Sequence, residues 1–168
     1  MRKTVLLTFM ALLLPVSLAF AGDLRSERIA TAEEYLRGIY GGDPSVVDRL
    51  TSEDIVVSYP IIQSVAGTPA LRGHDAVRGL AERFSKKWSD PRLEIHETVF
   101  EGNRLAVLWS FSARSREKTS PGQSSSDSQY SWGGITLIHF DDQGKVSAEI
   151  GEESDPGPYE RVHATKED

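Results

Sequence analysis

Residues 130–140, YSWGGITLIHF, then 141–144, DDQG, then 145–153, KVSAEIGEE, decide the fold. The two arms read as antiparallel strands joined by a tight turn. β-Branched and aromatic residues fill the first arm, which suits a pleated, half-buried surface. Asp141, Asp142 and Gly144 tolerate the backbone angles that a hairpin turn requires. Upstream of this ribbon, Leu105 to Arg114 and Arg92 to Phe100 read as two more strands, turning at Gly102-Asn103. Ile55 to Tyr59 reads as a short strand ended by Pro60, with Thr51 to Asp54 as a turn before it.

The rest of the chain reads as helices that cover the sheet. From Asp23 to Tyr40, the residues Leu24, Arg28, Ala32, Tyr35, Leu36 and Ile39 recur at three- and four-residue spacing, forming one stripe. Gly41-Gly42 stops this helix. Asp43 caps a second, short helix with Pro44 at its first position and Val46, Val47 and Leu50 inside. Residues 61–72 read as a loop. A third helix runs from Gly73 or His74 to Trp88, with Val77, Leu80, Ala81, Phe84 and Trp88 as its stripe, and Asp90-Pro91 breaks it. The Ser-rich segment 115–127 reads as a mobile connection within one domain. The two prolines and mixed charges after Asp155 predict a flexible tail over 157–168. The expected fold class is α+β: a curved mixed or antiparallel sheet forming a cone on three N-terminal helices, with one domain over 22–156. A cavity between sheet and helices is the expected place for a small ligand.

The N-terminus reads as a secretory leader. Arg2 and Lys3 precede an apolar run from Val5 to Phe20, and Ala19-Phe20-Ala21 has the small-x-small form of a cleavage site. Residues 1–21 are therefore expected to be a signal peptide, leaving a chain of about 147 residues, the size of one domain. The expected destination is periplasmic or secreted, with no membrane association after leader removal. Across the whole chain 19 basic residues face 25 acidic ones, a net charge of −6. That balance argues against nucleic acid and anionic membrane as partners. There is no cysteine, which excludes thiol nucleophiles and thiolate metal sites and leaves a hydrophobic core to hold the chain together.

Four stretches carry a resemblance. EEYLRGIYGGD (33–43), IVVSYP (55–60), LRGHDAV (71–77) and HFDDQGKV (139–146) resemble, in this order and spacing, the SnoaL-like branch of the nuclear-transport-factor-2-like superfamily. That cone fold also serves ketosteroid isomerases, scytalone dehydratase, limonene epoxide hydrolase and polyketide cyclases. The resemblance spans roughly residues 24–155, and one such scaffold carries many chemistries. The ketosteroid isomerase pattern implies an oxyanion-donating tyrosine in the first helix, where Tyr35 falls. It implies a carboxylate base just before a proline in the first strand, where this chain has Tyr59. It implies a protonated acid in the penultimate strand, where this chain has Thr136. A tyrosine is a poor base at neutral pH, so steroid isomerisation by that route is not expected.

The same resemblance implies which faces look inward: Val107, Trp109 and Phe111; Trp132, Gly134, Thr136 and Ile138; Glu149, Gly151 and Glu153. Plain alternation in KVSAEIGEE conflicts with this. It makes Val146, Ala148 and Ile150 the apolar face and puts Glu149 in water. Both can hold if the outer face is covered, for instance by a second subunit. If Glu149 is inside, burial raises its pKa and makes it a candidate general base. Tyr35 and Tyr59 are then candidate oxyanion or proton donors, against the plainer reading that a buried tyrosine fills space and finds one partner. Trp109, Phe111, Trp132, Thr136, Ile138 and Glu153 are the candidate substrate-binding residues. The four histidines, His74, His96, His139 and His163, lack the spacing of a metal pair, and no metal or cofactor is expected. His96 is expected to face solvent, and Arg72 to be a surface residue or an anion clamp. The expected ligand is a small, largely apolar molecule handled by acid–base chemistry: isomerisation, dehydration, cyclisation or hydrolysis. The alternative is a non-catalytic module, a homodimer joined through Ile135, Leu137 and His139.

Overall fold

The computed structural model describes residues 16–116 and 129–164, with side chains from Leu24 onward. The first helix, α1, runs Val16–Gly41, and α2 runs Ser45–Leu50. Strand β1 (Thr51–Ser58) follows directly. Next come α3 (Pro60–Ala66), β2 (Leu71–Arg72) and α4 (Gly73–Lys87). Four long elements complete the sheet: β3 (Trp88–Glu101), β4 (Arg104–Ser115), β5 (Gln129–Phe140) and β6 (Val146–Ser154). A last helix, α5, runs Pro158–His163. The strands form one open, mixed sheet in the order β2-β1-β6-β5-β4-β3. All neighbours are antiparallel except β1 and β6, which are parallel.

The α+β class and the β5–β6 ribbon are as the sequence predicts, and Gly144 turns the ribbon at φ 80°. The core lies between one face of the sheet and the helices. Ala32, Tyr35, Leu36 and Ile39 of α1 and Val77 and Ala81 of α4 are buried against Val107, Trp109 and Phe111 of β4 and Ile138 and Phe140 of β5.

Several local expectations need correction. The loop expected over 61–72 is α3 followed by β2. Pro60 sits in its first turn with φ already helical, and Gly67 closes it in the left-handed region. The turn expected at Thr51 to Asp54 belongs to β1, because Thr51 pairs with Val146 before a register shift. Asp90-Pro91 does not separate helix from strand. It lies inside β3, where the pairing shifts between Ser89 and Arg92 and Asp90 takes φ 53°, as a bulge permits. Four helices, not three, precede β3. Leu24, expected on the α1 stripe, is exposed. The Asp43 carboxylate accepts the Ser45 N–H at 2.9 Å, but Pro44 stands just outside the helix.

The tail also differs from expectation over residues 158–163. There α5 packs across the outer face of β4 and β5. Tyr159 stacks on His96 with centroids 3.5 Å apart, and Ser110 Oγ hydrogen-bonds both His96 Nε2, at 2.6 Å, and Glu160. His96 is thus covered, not solvated. The expected leader falls largely outside the described residues, as does most of the Ser-rich connection.

Candidate functional site

The site begins with a discrepancy in strand alternation. Val146 and Glu149 of β6 are both buried, although a period of two cannot place positions three apart on one face. The pairing with β5 supplies the cause. His139 pairs with Ala148 but Phe140 pairs with Val146, so Ser147 is an extra residue in β6. Such a bulge shifts the phase of every later side chain. Beyond it, Glu149 and Gly151 face the helices, while Ile150 is exposed. The solvent reading of Glu149 therefore fails at one residue, and the inward reading holds.

Glu149 is 1% exposed, and its two oxygens are held separately. Tyr35 Oη, from α1, donates to Oε2 at 2.7 Å. Tyr59 Oη donates to Oε1 at 2.6 Å. Tyr59 leaves β1 in extended conformation, φ −141° and ψ 153°. Its ring lies over Gly151, where an added Cβ would come within 2.1 Å of the ring. Thr136 Oγ1 lies 2.7 Å from Tyr59 Oη and accepts the Trp109 indole N–H at 2.8 Å. With Tyr59 donating to Glu149, the remaining Thr136 proton is the one that satisfies the Tyr59 oxygen. The network thus runs Trp109 to Thr136 to Tyr59 to Glu149, with Tyr35 closing on the far oxygen. Each residue has its partners only while Glu149 accepts two hydrogen bonds.

Burial dominates the electrostatics. Desolvation raises the Glu149 pKa above its ordinary value, and the Tyr59 and Tyr35 hydroxyls pull it part of the way back. The Tyr35 and Tyr59 hydroxyls are pushed well above theirs, first by burial and then by the neighbouring carboxylate. Glu153, half-buried four residues on, is also raised, chiefly by burial. The Trp132 indole N–H opposes that shift, while the charges of Glu149 and Glu152 add to it. Two carboxyls poised upward and two tyrosines fixed as neutral donors form an arrangement able to take a proton or give one.

A cavity of about 200 Å³ opens onto this network. Glu149, Glu153, Tyr59 and Trp132 line it, together with Tyr40 and the apolar side chains Ile39, Ile62, Leu80, Phe84 and Trp88. Tyr35, Trp109, Phe111, Thr136 and Ile138 lie behind that lining as buried support and do not reach the cavity surface. Phe111 backs Trp132 with ring centroids 4.4 Å apart. Arg72 is exposed on β2, away from the cavity lining. The Trp132 Nε1 is buried beside the Glu153 carboxyl, with no hydrogen bond of good geometry among the described residues. Among those residues no group of three or more metal-ligating side chains forms.

Tyr40 is a lining residue that sequence reasoning missed. It packs against Phe84, Trp109 and Phe111 with centroids 5.0, 4.9 and 5.2 Å away. Burial and the charges of Glu149 and Glu153 raise its pKa well above the ordinary value, with Tyr59 opposing. Its signal was present, since Tyr40 follows Leu36 by four and extends the α1 stripe by one position.

Comparison with known proteins agrees with this architecture. Residues 32–149 match the family described as the SnoaL-like domain. Among solved structures, a Streptomyces laurentii protein, TsrD, superposes with a TM-score of 0.61 at 22% identity, covering 84% of this chain and 98% of that one. A protein from Acidithiobacillus ferrooxidans, provisionally assigned as a polyketide cyclase, gives 0.63 at 16% identity, covering 82% of this chain and 95% of its own. An LEH-like epoxide hydrolase of M. tuberculosis gives 0.58 at 16% identity, with 77% and 84% covered. Similarities at these identities establish the fold. No curated protein sequence matches the chain.

Proposed function

The chain belongs to the SnoaL-like domain family, and from that premise we propose that it binds a small, largely apolar molecule in the cavity and moves a proton on it. Glu149 is the base, or the acid when protonated. Tyr59 is the donor that reaches the cavity beside it, and Tyr35 holds the carboxylate from behind. The observation that carries this reading is Glu149 itself: a buried carboxylate, held by two tyrosine hydroxyls, at the surface of an apolar cavity. A structural carboxylate of this kind is costly to bury. Hydrogen bonds of about 1.5–3 kcal/mol each to a charged group offset that cost only in part, which fits a group kept for chemistry. A ligand oxygen that accepts the Trp132 N–H, which no well-formed hydrogen bond occupies, would lie beside Glu149 and Glu153. A carbonyl or an epoxide presents such an oxygen, and the relatives assigned as a cyclase and an epoxide hydrolase are consistent with either.

The test uses two readouts. Small apolar ketones are incubated in deuterium oxide, and exchange of the α-hydrogens is followed by NMR. Small cyclic epoxides are followed for ring opening. Exchange or opening above the buffer rate that is lost in Glu149→Gln supports the assignment. Rates indistinguishable from buffer on both panels would remove the catalytic part.

A second reading has its own observation. On the outer face of the sheet, which α5 also contacts, Ile135 and Ile150 are 49% and 47% exposed, and Leu137 pairs with Ile150. A homodimer would cover this patch, with His139 at its edge. Light scattering on the purified chain decides it, since a monomer at micromolar concentration would exclude the interface. Export to the periplasm or medium remains part of the proposal, supported by the three-part leader. The N-terminal residue of the mature protein tests it.

A further inference from the structure

The cavity is electrically lopsided. Glu149 and Glu153 lie on its sheet side, and Arg83 and Lys87 of α4 complete its lining from the helix side. Those two cations stand at i and i+4 on the same stripe as Leu80 and Phe84, which also line the cavity. The other charged neighbours on α4 are neutralised locally: Arg78 pairs with Asp48 and Asp75, and Lys86 pairs with Glu82. Among the described residues, neither Arg83 nor Lys87 pairs with a carboxylate, and the Lys87 ammonium sits 4.8 Å from the Trp88 ring centroid at the rim. Ile61 and Val65 of α3 line the opening too, and are exposed.

Building on the proposed small-molecule site, we infer that the ligand is an organic acid with an apolar body, bound with its carboxylate at the rim between Arg83 and Lys87. Two physical constraints fix that orientation. An anionic group driven inward would meet Glu149 and Glu153, and like charges in a poorly hydrated pocket repel strongly. A neutral polar end at the same depth can instead accept the Trp132 N–H, which no well-formed hydrogen bond occupies. The rim cations are exposed, so their attraction acts through water and is sensitive to salt. The plainer alternative is that Arg83 and Lys87 only lay their aliphatic stems along the cavity wall, as long cationic side chains do. In that case the sign of the ligand's charge would not matter.

Calorimetric titration of the full chain with octanoate, methyl octanoate and octylamine distinguishes these. At low ionic strength octanoate should bind about threefold to tenfold more tightly than its ester, as expected for exposed charge pairs, and octylamine most weakly. In the double variant Arg83→Gln/Lys87→Gln the gap between acid and ester should close, and added salt should close it in the parent protein. Equal binding of acid and ester, or a gap that survives the double variant, overturns the charge assignment and leaves the small-molecule cavity standing. Binding of none of the three overturns both.

Discussion

Tyr35, on the first helix, and Glu149, on the last strand, meet through a hydrogen bond of 2.7 Å that ties the two ends of the domain together at its centre. Because Tyr59 occupies the other carboxylate oxygen, the two tyrosines are separable experimentally. Tyr35→Phe removes a donor that does not reach the cavity, whereas Tyr59→Phe removes one that does. Both should raise the Glu149 pKa further, since each hydroxyl now lowers it. With Glu149 acting as the base, the acidic limb of any pH–rate profile should move to higher pH in both. Each should also cost about 1.5–3 kcal/mol of stability at neutral pH, with Tyr59→Phe losing more activity. A limb that stays in place in both variants would remove the tyrosines from control of Glu149.

Burial of Glu149 makes stability depend on pH with a definite sign. Its folded-state pKa lies above the ordinary 4.5, so the native chain holds a proton that the unfolded chain has lost. Stability from this group is complete below about 4.5 and declines as pH rises through the folded value. Glu153 acts in the same direction. Thermal melts of the parent protein should therefore fall relative to Glu149→Gln as pH rises from about 4.5 toward neutrality. Parallel curves for the two proteins would show that Glu149 titrates normally.

Gly151 gives Tyr59 its position, because a methyl group there would sit 2.1 Å from the tyrosine ring. Gly151→Ala should cost about 1–3 kcal/mol, the usual range for overpacking. It should also reduce activity beyond what lost stability explains, as Tyr59 moves off both Glu149 and Thr136. Denaturant midpoints and residual turnover measured on the same sample test this.

Helix α5 should contribute to stability in spite of its length. Tyr159 stacks on His96, with the planes 3° apart, and Ser110 joins His96 to Glu160. Tyr159→Ala should destabilise the domain by about 0.5–1.5 kcal/mol and speed amide exchange in β3 and β4. Unchanged exchange there would mean that the helix rests on the sheet without supporting it.

The sequence was most legible where its periodicity was long. The ribbon from Tyr130 to Glu153 carries enough repeats to fix element type, and the stripes of α1 and α4 fix the inner face as well. Legibility failed where a single residue alters the phase or a short element depends on its ends. The period of β6 is broken at Ser147, which has no composition signal of its own. Helix α3 has only seven residues, too few for a visible stripe, and its evidence lay in Pro60 and Gly67 at its ends. Polar Thr51 to Asp54 looked like a turn because their strand pairing comes from β6, far along the chain. Glu149 could be placed inward only through family resemblance, since local alternation pointed it to water. Arg83 and Lys87 passed as ordinary surface charge because nothing in α4 shows what stands opposite.

The extra residue at Ser147 makes the chemistry of the last strand a question of parity. Deleting it would restore strict alternation, with Ala148 outside and both Val146 and Glu149 still inside. Straightening the bulge with every residue kept would instead give Ile150 the inward seat and turn the carboxylate to solvent. A slip of pairing by one residue would thus exchange a carboxylate for an apolar side chain at the cavity while leaving composition and length untouched. Relatives that differ by one residue in this turn should accordingly be compared by side-chain facing before any shared activity is inferred.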